Sequence, residues 1–193
     1  MTDERLLAEA GCGDEAAFRT LYERHRDAVF RFAFRLCHSA EIAEDITQDC
    51  FLGLVVRPQG FDPSRARLRT YLYGAVRNQA LKHFHRQGNE VVMENPVEES
   101  EPAGGREALS RLLDSELSDA VQRAIAALPL AQREAMILFE YEELSLAEIA
   151  EIVGTEIGTV KSRLHRGREN LRRLLAPYLK NGSPVAGQLQ KCQ

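Results

Sequence analysis

Lys161, Arg163, Arg166, Arg168, Arg172 and Arg173 crowd into the stretch TEIGTVKSRLHRGRENLRRLL, residues 155–175, of a chain whose formal net charge is −4. Cations this dense suit one chemistry above others, the pairing of guanidinium and ammonium groups with phosphates. The apolar residues of the stretch decide which side faces out. Ile157, Val160, Leu164, Leu171 and Leu174 recur at helical intervals and predict a single inward stripe. At about 100° per residue, Ser162, Arg166, Glu169 and Arg173 lie opposite that stripe. Lys161, Arg168 and Arg172 lie on one flank and Arg163 on the other. A plain solvated face would share this pattern, so the neighbouring residues matter.

A second basic set spans residues 57–86, with seven Lys or Arg against one Asp. There Arg65, Arg67, Arg69, Arg77, Lys82 and Arg86 interleave with Phe61, Tyr71, Tyr73, Phe84 and two histidines. Cations follow a sugar–phosphate backbone while aromatic faces stack on unpaired bases, so the mixture fits single-stranded nucleic acid. It fits equally an aromatic core with a solvated rim, and Tyr71 is expected to be at least partly core. The third set has the opposite sign: Glu41, Glu44, Asp45 and Asp49, with no Lys or Arg between Glu41 and Val56. Such a face is either solvated or a docking surface for a basic partner.

Catalysis has no comparable foothold. There is no phosphate-binding loop and no nucleophile–base pair at motif spacing, which argues against an enzyme. Cys12, Cys37, Cys50 and Cys192 form no CxxC, and only His83/His85 and Cys37-His38 stand close together. That is short of a zinc site, so neither metal nor cofactor is expected, and the cysteines read as reduced thiols with Cys37 and Cys50 in the core.

The elements that must hold these residues are almost all helical. A length of 193 residues allows one or two domains, and 44% apolar with 28% charged residues is ordinary for a soluble protein. No run approaches the ~18 apolar residues of a membrane span, and MTDERLLAEAG lacks a signal-peptide core, so a cytoplasmic protein is expected. Phe18, Leu21, Tyr22, Val29, Phe32, Ala33 and Leu36 mark one helix. Ile42, Ile46, Cys50 and Leu54, behind a Ser39 cap, mark the next. RPQGFDPSR is a loop, and Leu68, Tyr71, Leu72, Ala75 and Val76 mark a third long helix.

These residues form a predicted first domain, 1–86. The stretch 87–111 is acidic, with prolines and glycines and little periodicity, and reads as a flexible linker. A second helical domain, 112–180, is broken at Pro129, and 181–193 reads as a disordered tail. Within the second domain, Ser145 and Glu148 have capping-box spacing ahead of Leu146, Ile149, Ala150 and Val153. Gly154 is a natural helix stop, and the basic helix opens just after it with Thr155 as its expected cap. Two helices across a tight Gly turn, the second one basic, form a helix-turn-helix pattern, which turns the solvated-face reading toward DNA. The fold class is all-α: two small helical domains, the C-terminal one with a helix-turn-helix.

Over nearly its whole length the chain resembles the extracytoplasmic-function (ECF) group of the sigma-70 family of bacterial transcription factors. The resemblance rests on AFRTLYERHRDAVFRFAFRL, AEDITQDCF, FDPSRARLRTYLYGAVRNQAL and LPLAQREAMILFEYEELSLAEIAEIVGTEIGTVKSRLHRGRENLRRLL. It implies that Asp45, Gln48, Asp49 and Phe51 dock on the clamp helices of core RNA polymerase. It implies that Phe61, Arg65, Arg67, Arg69, Tyr71, Arg77, Asn78, Lys82 and Arg86 serve reading and melting of the promoter −10 element. It further implies that Ser162, His165 and Arg166 face base edges of the −35 element, while Thr159, Lys161, Arg163 and Arg168 touch phosphates. Promoter DNA, core polymerase and an anti-sigma factor are the implied partners, with a monomer when free and no membrane insertion. In three places the chain departs from the family pattern: Tyr71 stands where tryptophan is common, Glu156 where proline or serine is common, and Gly167 where alanine is usual. The glycine costs about 1 kcal/mol of helix propensity unless close packing requires it. A rival class shares the terminal helix: a stand-alone helix-turn-helix regulator with an N-terminal sensing domain, which would need neither the acidic face nor the aromatic-basic loop.

Overall fold

The computed structural model describes residues 1–86 and 118–179. The expected linker, the expected tail and the first residues of the second domain (112–117) lie outside the described residues. Among the described residues every regular element is helical. In the first module α1 is Asp3–Gly11, α2 Glu15–Cys37, α3 Ala40–Val56 and α4 Leu68–Arg86, with a 3-10 turn at Pro58–Gly60. In the second, α5 covers 118–126, α6 is Leu130–Met136, α7 Leu146–Val153 and α8 Ile157–Leu179.

Local chemistry sets most of the boundaries. The Asp14 carboxylate accepts the Ala16 and Ala17 N–H groups at 2.9 and 3.1 Å, and Ser39 accepts from Ile42 at 3.3 Å, capping α2 and α3. α2 ends on His38, in the left-handed region at φ 53°. Leu21, Val29, Phe32 and Leu36 of α2, Ile46, Cys50 and Leu54 of α3, and Leu68, Leu72 and Val76 of α4 build the core of the first module. Cys37 and Cys50 are buried within it, and burial pushes both thiols up to about 12, while Cys12 is exposed. Ile42, Phe18 and Tyr22 are only partly covered.

The stretch that follows Pro129 does not stay α-helical up to the helix-turn-helix. α6 passes into a π-helical turn at Ile137–Tyr141, where the Glu142 N–H donates to the Ile137 carbonyl at 3.2 Å, and Glu143 follows at φ 53°. The wider turn directs Glu140 toward α8 and Glu142 toward the first module. The two modules touch: α7 packs on α4 and the π turn on α2. No helix of the described residues is long and apolar enough to cross a membrane.

Candidate nucleic-acid interface

The helix-turn-helix forms as its residues dictate. Ser145 accepts from the Glu148 N–H while the Glu148 carboxylate accepts from the Ser145 N–H at 2.9 Å, a complete capping box. Those hydrogen bonds from Ser145 hold the Glu148 carboxyl below the usual range. Gly154 takes φ 65°, which a side chain would strain, and the Thr155 N–H then closes back on the Ala150 carbonyl at 3.0 Å. α8 starts at Ile157, two residues after the expected cap, with Val160 N–H on the Glu156 carbonyl at 3.2 Å.

Val160 and Leu164 are buried, so the centre of the predicted stripe faces inward. Its ends do not: Ile157 is 44% and Leu174 42% exposed. Gly167 sits against α6, where an added Cβ would stand 2.9 Å from Met136 Cγ, and so close packing accounts for the glycine.

Thr159, Lys161, Ser162, His165 and Arg166 are exposed along the outer side of α8. The Ser162 hydroxyl donates to the Gly158 carbonyl at 3.0 Å, and His165 Nε2 lies 3.6 Å from Glu169. Two of the expected phosphate contacts are less available. Arg168 donates to Glu140 at 2.9 Å and lies over the Phe139 ring at 5.3 Å. Arg163 is half-buried, with Nη1 out of solvent and no hydrogen-bond partner among the described residues.

In the first module Arg65, Arg67, Asn78, Lys82 and Arg86 are exposed along the loop and α4. The loop is braced by Asp62, which accepts the Ser64 N–H and hydroxyl at 2.9 and 2.7 Å. Tyr71 is half-buried and meets Phe61 edge-on at 5.5 Å, while Phe61 itself is 8% exposed and packs under it. Arg69 is half-buried, its guanidinium 6.0 Å from the Tyr73 ring. Arg77 Nε lies 3.2 Å from Oε1 of Glu134, a residue of the second module.

On α3, Glu41, Glu44, Asp45, Gln48 and Asp49 are all exposed. Phe51 differs from its expected neighbours: it is 2% exposed, with its ring 4.8 Å from Tyr22 inside the module. The apolar groups that do reach the surface beside the acidic face are Leu52 and Val56, 66% and 68% exposed. Sequence reasoning passed over this pair, although their i, i+4 spacing off the inward stripe is the signal that marks them. Among the described residues no cluster of three or more His, Cys, Asp or Glu could hold a metal ion.

Two cationic helical faces on separate modules, one of them the second helix of a helix-turn-helix, give an all-helical chain two surfaces of the sign that suits a polyanion. The sigma-70 region 2 family model matches residues 21–90, and the sigma-70 region 4 model matches 118–171. The chain is 32% identical to the ECF RNA polymerase sigma factor SigW of Bacillus subtilis over 183 residues, 91% of this chain and 97% of that one. It is 34% identical to the ECF RNA polymerase sigma factor SigM of Mycobacterium tuberculosis over 181 residues, 94% of this chain and 88% of that one. Among solved structures it is similar to the sigma factor RpoE of Bartonella quintana, in complex with the anti-sigma factor NepR, with a TM-score of 0.64 and 25% identity across 82% of this chain and 96% of that one. The chain belongs to the ECF group of sigma-70-family factors.

Proposed function

We propose that the chain directs core RNA polymerase to its promoters through three surfaces with separate tasks. The observation that carries this reading is the division of charge between them. α3 exposes an acidic face with Asp45, Gln48 and Asp49 and an apolar edge at Leu52 and Val56, suited to a basic partner with an apolar ridge. α4 and its preceding loop expose Arg65, Arg67, Asn78, Lys82 and Arg86 with Tyr71 among them, suited to an unpaired strand of the −10 element. The outer side of α8 exposes Ser162, His165 and Arg166 together with Thr159 and Lys161, suited to the major groove of the −35 element. Phe51 and Phe61, being buried, act in this reading by supporting those surfaces and not by touching partners. Polymerase supplies the bond-making chemistry.

The net charge of −4 agrees with this division of labour, because a chain that must find DNA alone gains from an overall positive field. An anti-sigma protein is the expected negative regulator, in line with the complex of the RpoE relative. The test is to sequence the 5′ ends of RNA made by core polymerase with and without the protein on genomic DNA. New start sites sharing upstream elements support the reading. Unchanged start sites, together with tight DNA binding by the chain alone, would return it to the stand-alone regulator class.

A further inference from the structure

Phe61, Tyr73 and Phe84 are buried, so Tyr71, half-buried, is the ring of this set that a base can reach. Asn78 and Lys82 are exposed close to the same side of α4, at about 100° per residue. The Tyr71 ring is located at both ends. Phe61 meets it at 5.5 Å with 61° between the planes, and whichever ring presents its edge, at least one π face of Tyr71 stays clear of the other. At the far end, a Cβ added to Gly60 would stand 3.1 Å from the Tyr71 hydroxyl oxygen. Among the described residues no other atom outside the glycine's neighbours in the chain comes within 4 Å of that point. The backbone does not itself call for glycine here, since Gly60 lies outside the left-handed region. Nor can the turn that carries it retreat. The Gly60 N–H donates to the Arg57 carbonyl at 2.9 Å, the Phe61 N–H donates to the Pro58 carbonyl at 3.2 Å, and α1 and α3 both pack on the turn.

We propose that Gly60 is a positioning residue for the −10 strand: carrying no side chain, it lets the Tyr71 hydroxyl come down on the turn, and this seat sets the tilt of the ring on which a base stacks. The inference rests on the reading of Tyr71 as part of the surface for an unpaired strand. A methyl group at position 60 forces something to give way. The turn is held by hydrogen bonds and by two helices, whereas the hydroxyl is the far end of a half-exposed side chain, so the ring moves. Stacking depends on the separation and tilt of the partners, so the displaced ring loses base binding while the fold keeps its stability. The tyrosine that stands where tryptophan is common in the family thus has a partner matched to it, because its hydroxyl is the group that the glycine accommodates.

The test titrates the complex of the full chain with core polymerase against a labelled single strand of about ten nucleotides, read by anisotropy. The strand carries the non-template −10 sequence of a promoter that the complex uses. Tyr71→Leu keeps an apolar cover on Phe61 but has no π face, and should weaken binding at least about fivefold, the lower end of what one stacked base is worth. Gly60→Ala should weaken it about threefold, a part of that stacking. Its thermal midpoint should hold or rise, because alanine at a compatible φ restricts the unfolded chain. In the Tyr71→Phe background the atom facing Gly60 is gone, and there Gly60→Ala should no longer weaken binding. A glycine needed only for the fold would give the same loss in both backgrounds with a lowered midpoint. Equal losses in the two backgrounds overturn the proposal, and so does an unaffected Gly60→Ala beside a weakened Tyr71→Leu. If Tyr71→Leu itself binds as tightly as the natural chain, Tyr71 leaves the strand surface and the proposal falls with that reading.

Discussion

Arg133 reaches from α6 to the C-terminal end of α2, where its Nη1 donates to the Leu36 carbonyl at 3.1 Å. Its Nη2 donates to the carbonyls of Ala126 and Leu128, so one buried guanidinium ties α5, α6 and the first module together. The carbonyls at a helix end lack intrahelical partners, and this one is out of water. Arg133→Met keeps most of the volume but orphans these acceptors. A loss of roughly 3 kcal/mol is expected, measured by chemical denaturation, and Arg133→Lys should recover little of it because one ammonium cannot span the set.

Gly167→Ala opposes two effects. Alanine gains about 1 kcal/mol of helix propensity, while overpacking against Met136 costs about 1–3 kcal/mol. The approach of 2.9 Å is to Met136 Cγ, near the root of that side chain and not at its flexible end, which favours the second effect. A net loss of about 1 kcal/mol is expected, and Met136→Ala, which has no γ carbon, should make Gly167→Ala stabilising in its background. Thermal unfolding of the single and double variants checks both signs.

The helix ends were legible because their causes are local. Ser39, the Ser145–Glu148 box and Gly154 each act within a few residues, and each forms as its sequence predicts. The centre of the α8 stripe was legible for the same reason, but its ends were not. Ile157 and Leu174 keep the period and lie beyond the part of α8 that Val160 and Leu164 seal against the core, and periodicity alone does not reveal where the covering helices stop. Least legible was the contact between modules. Buried Arg133, Glu134 and Glu142 break no periodic pattern and look like surface charges until partners distant in the chain are known: Leu36, Arg77 and Tyr73. Of the expected site residues, Phe51 and Phe61 went inside because an aromatic ring beside a charged face is covered whenever a neighbour such as Tyr22 or Tyr71 can pack on it.

His38 should make stability depend on pH. Burial, and then the nearby Arg133 charge, lowers its pKa from 6.5 to about 4. Between those values the unfolded chain binds a proton that the folded chain does not. Stability contributed by the neutral ring is therefore full above pH 6.5 and declines as pH falls toward 4. His38→Asn, which tolerates the left-handed backbone, should flatten the denaturation midpoint across that window. An unaltered slope would assign the pH dependence to other groups.

The α3 surface predicts two separable losses of polymerase binding. Asp45→Arg with Asp49→Arg puts like charge against a basic partner and should weaken the complex by at least about tenfold. Leu52→Ser with Val56→Ser removes the exposed apolar pair and should weaken it with little salt dependence, whereas the charge reversals should matter most at low salt. Both pairs are exposed, so thermal stability should hardly change. Co-purification with core polymerase over a salt series distinguishes them, and full recovery of the double Arg variant would remove the docking role from α3.

The cations of α8 should separate into readers and anchors. Arg166 is exposed on the outer side of the helix and has no ion pair among the described residues, so its fork is available for a guanine edge. Arg166→Ala should cost ~1–3 kcal/mol on the cognate −35 element and much less on altered ones. Lys161 is exposed on the flank and should act as a phosphate anchor: Lys161→Ala should weaken all sequences alike and lower the salt slope by about one unit. Arg168 lies on the same flank but is already held by Glu140 and the Phe139 face. Its loss should therefore change the salt slope less than that of Lys161, and Glu140→Gln should bring the two residues closer together in effect. Polymerase-dependent binding to a panel of −35 variants across a salt series measures all four substitutions at once. If Arg166→Ala leaves the order of preference among the variants intact, Arg166 reads no base and the groove-facing assignment of α8 fails with it.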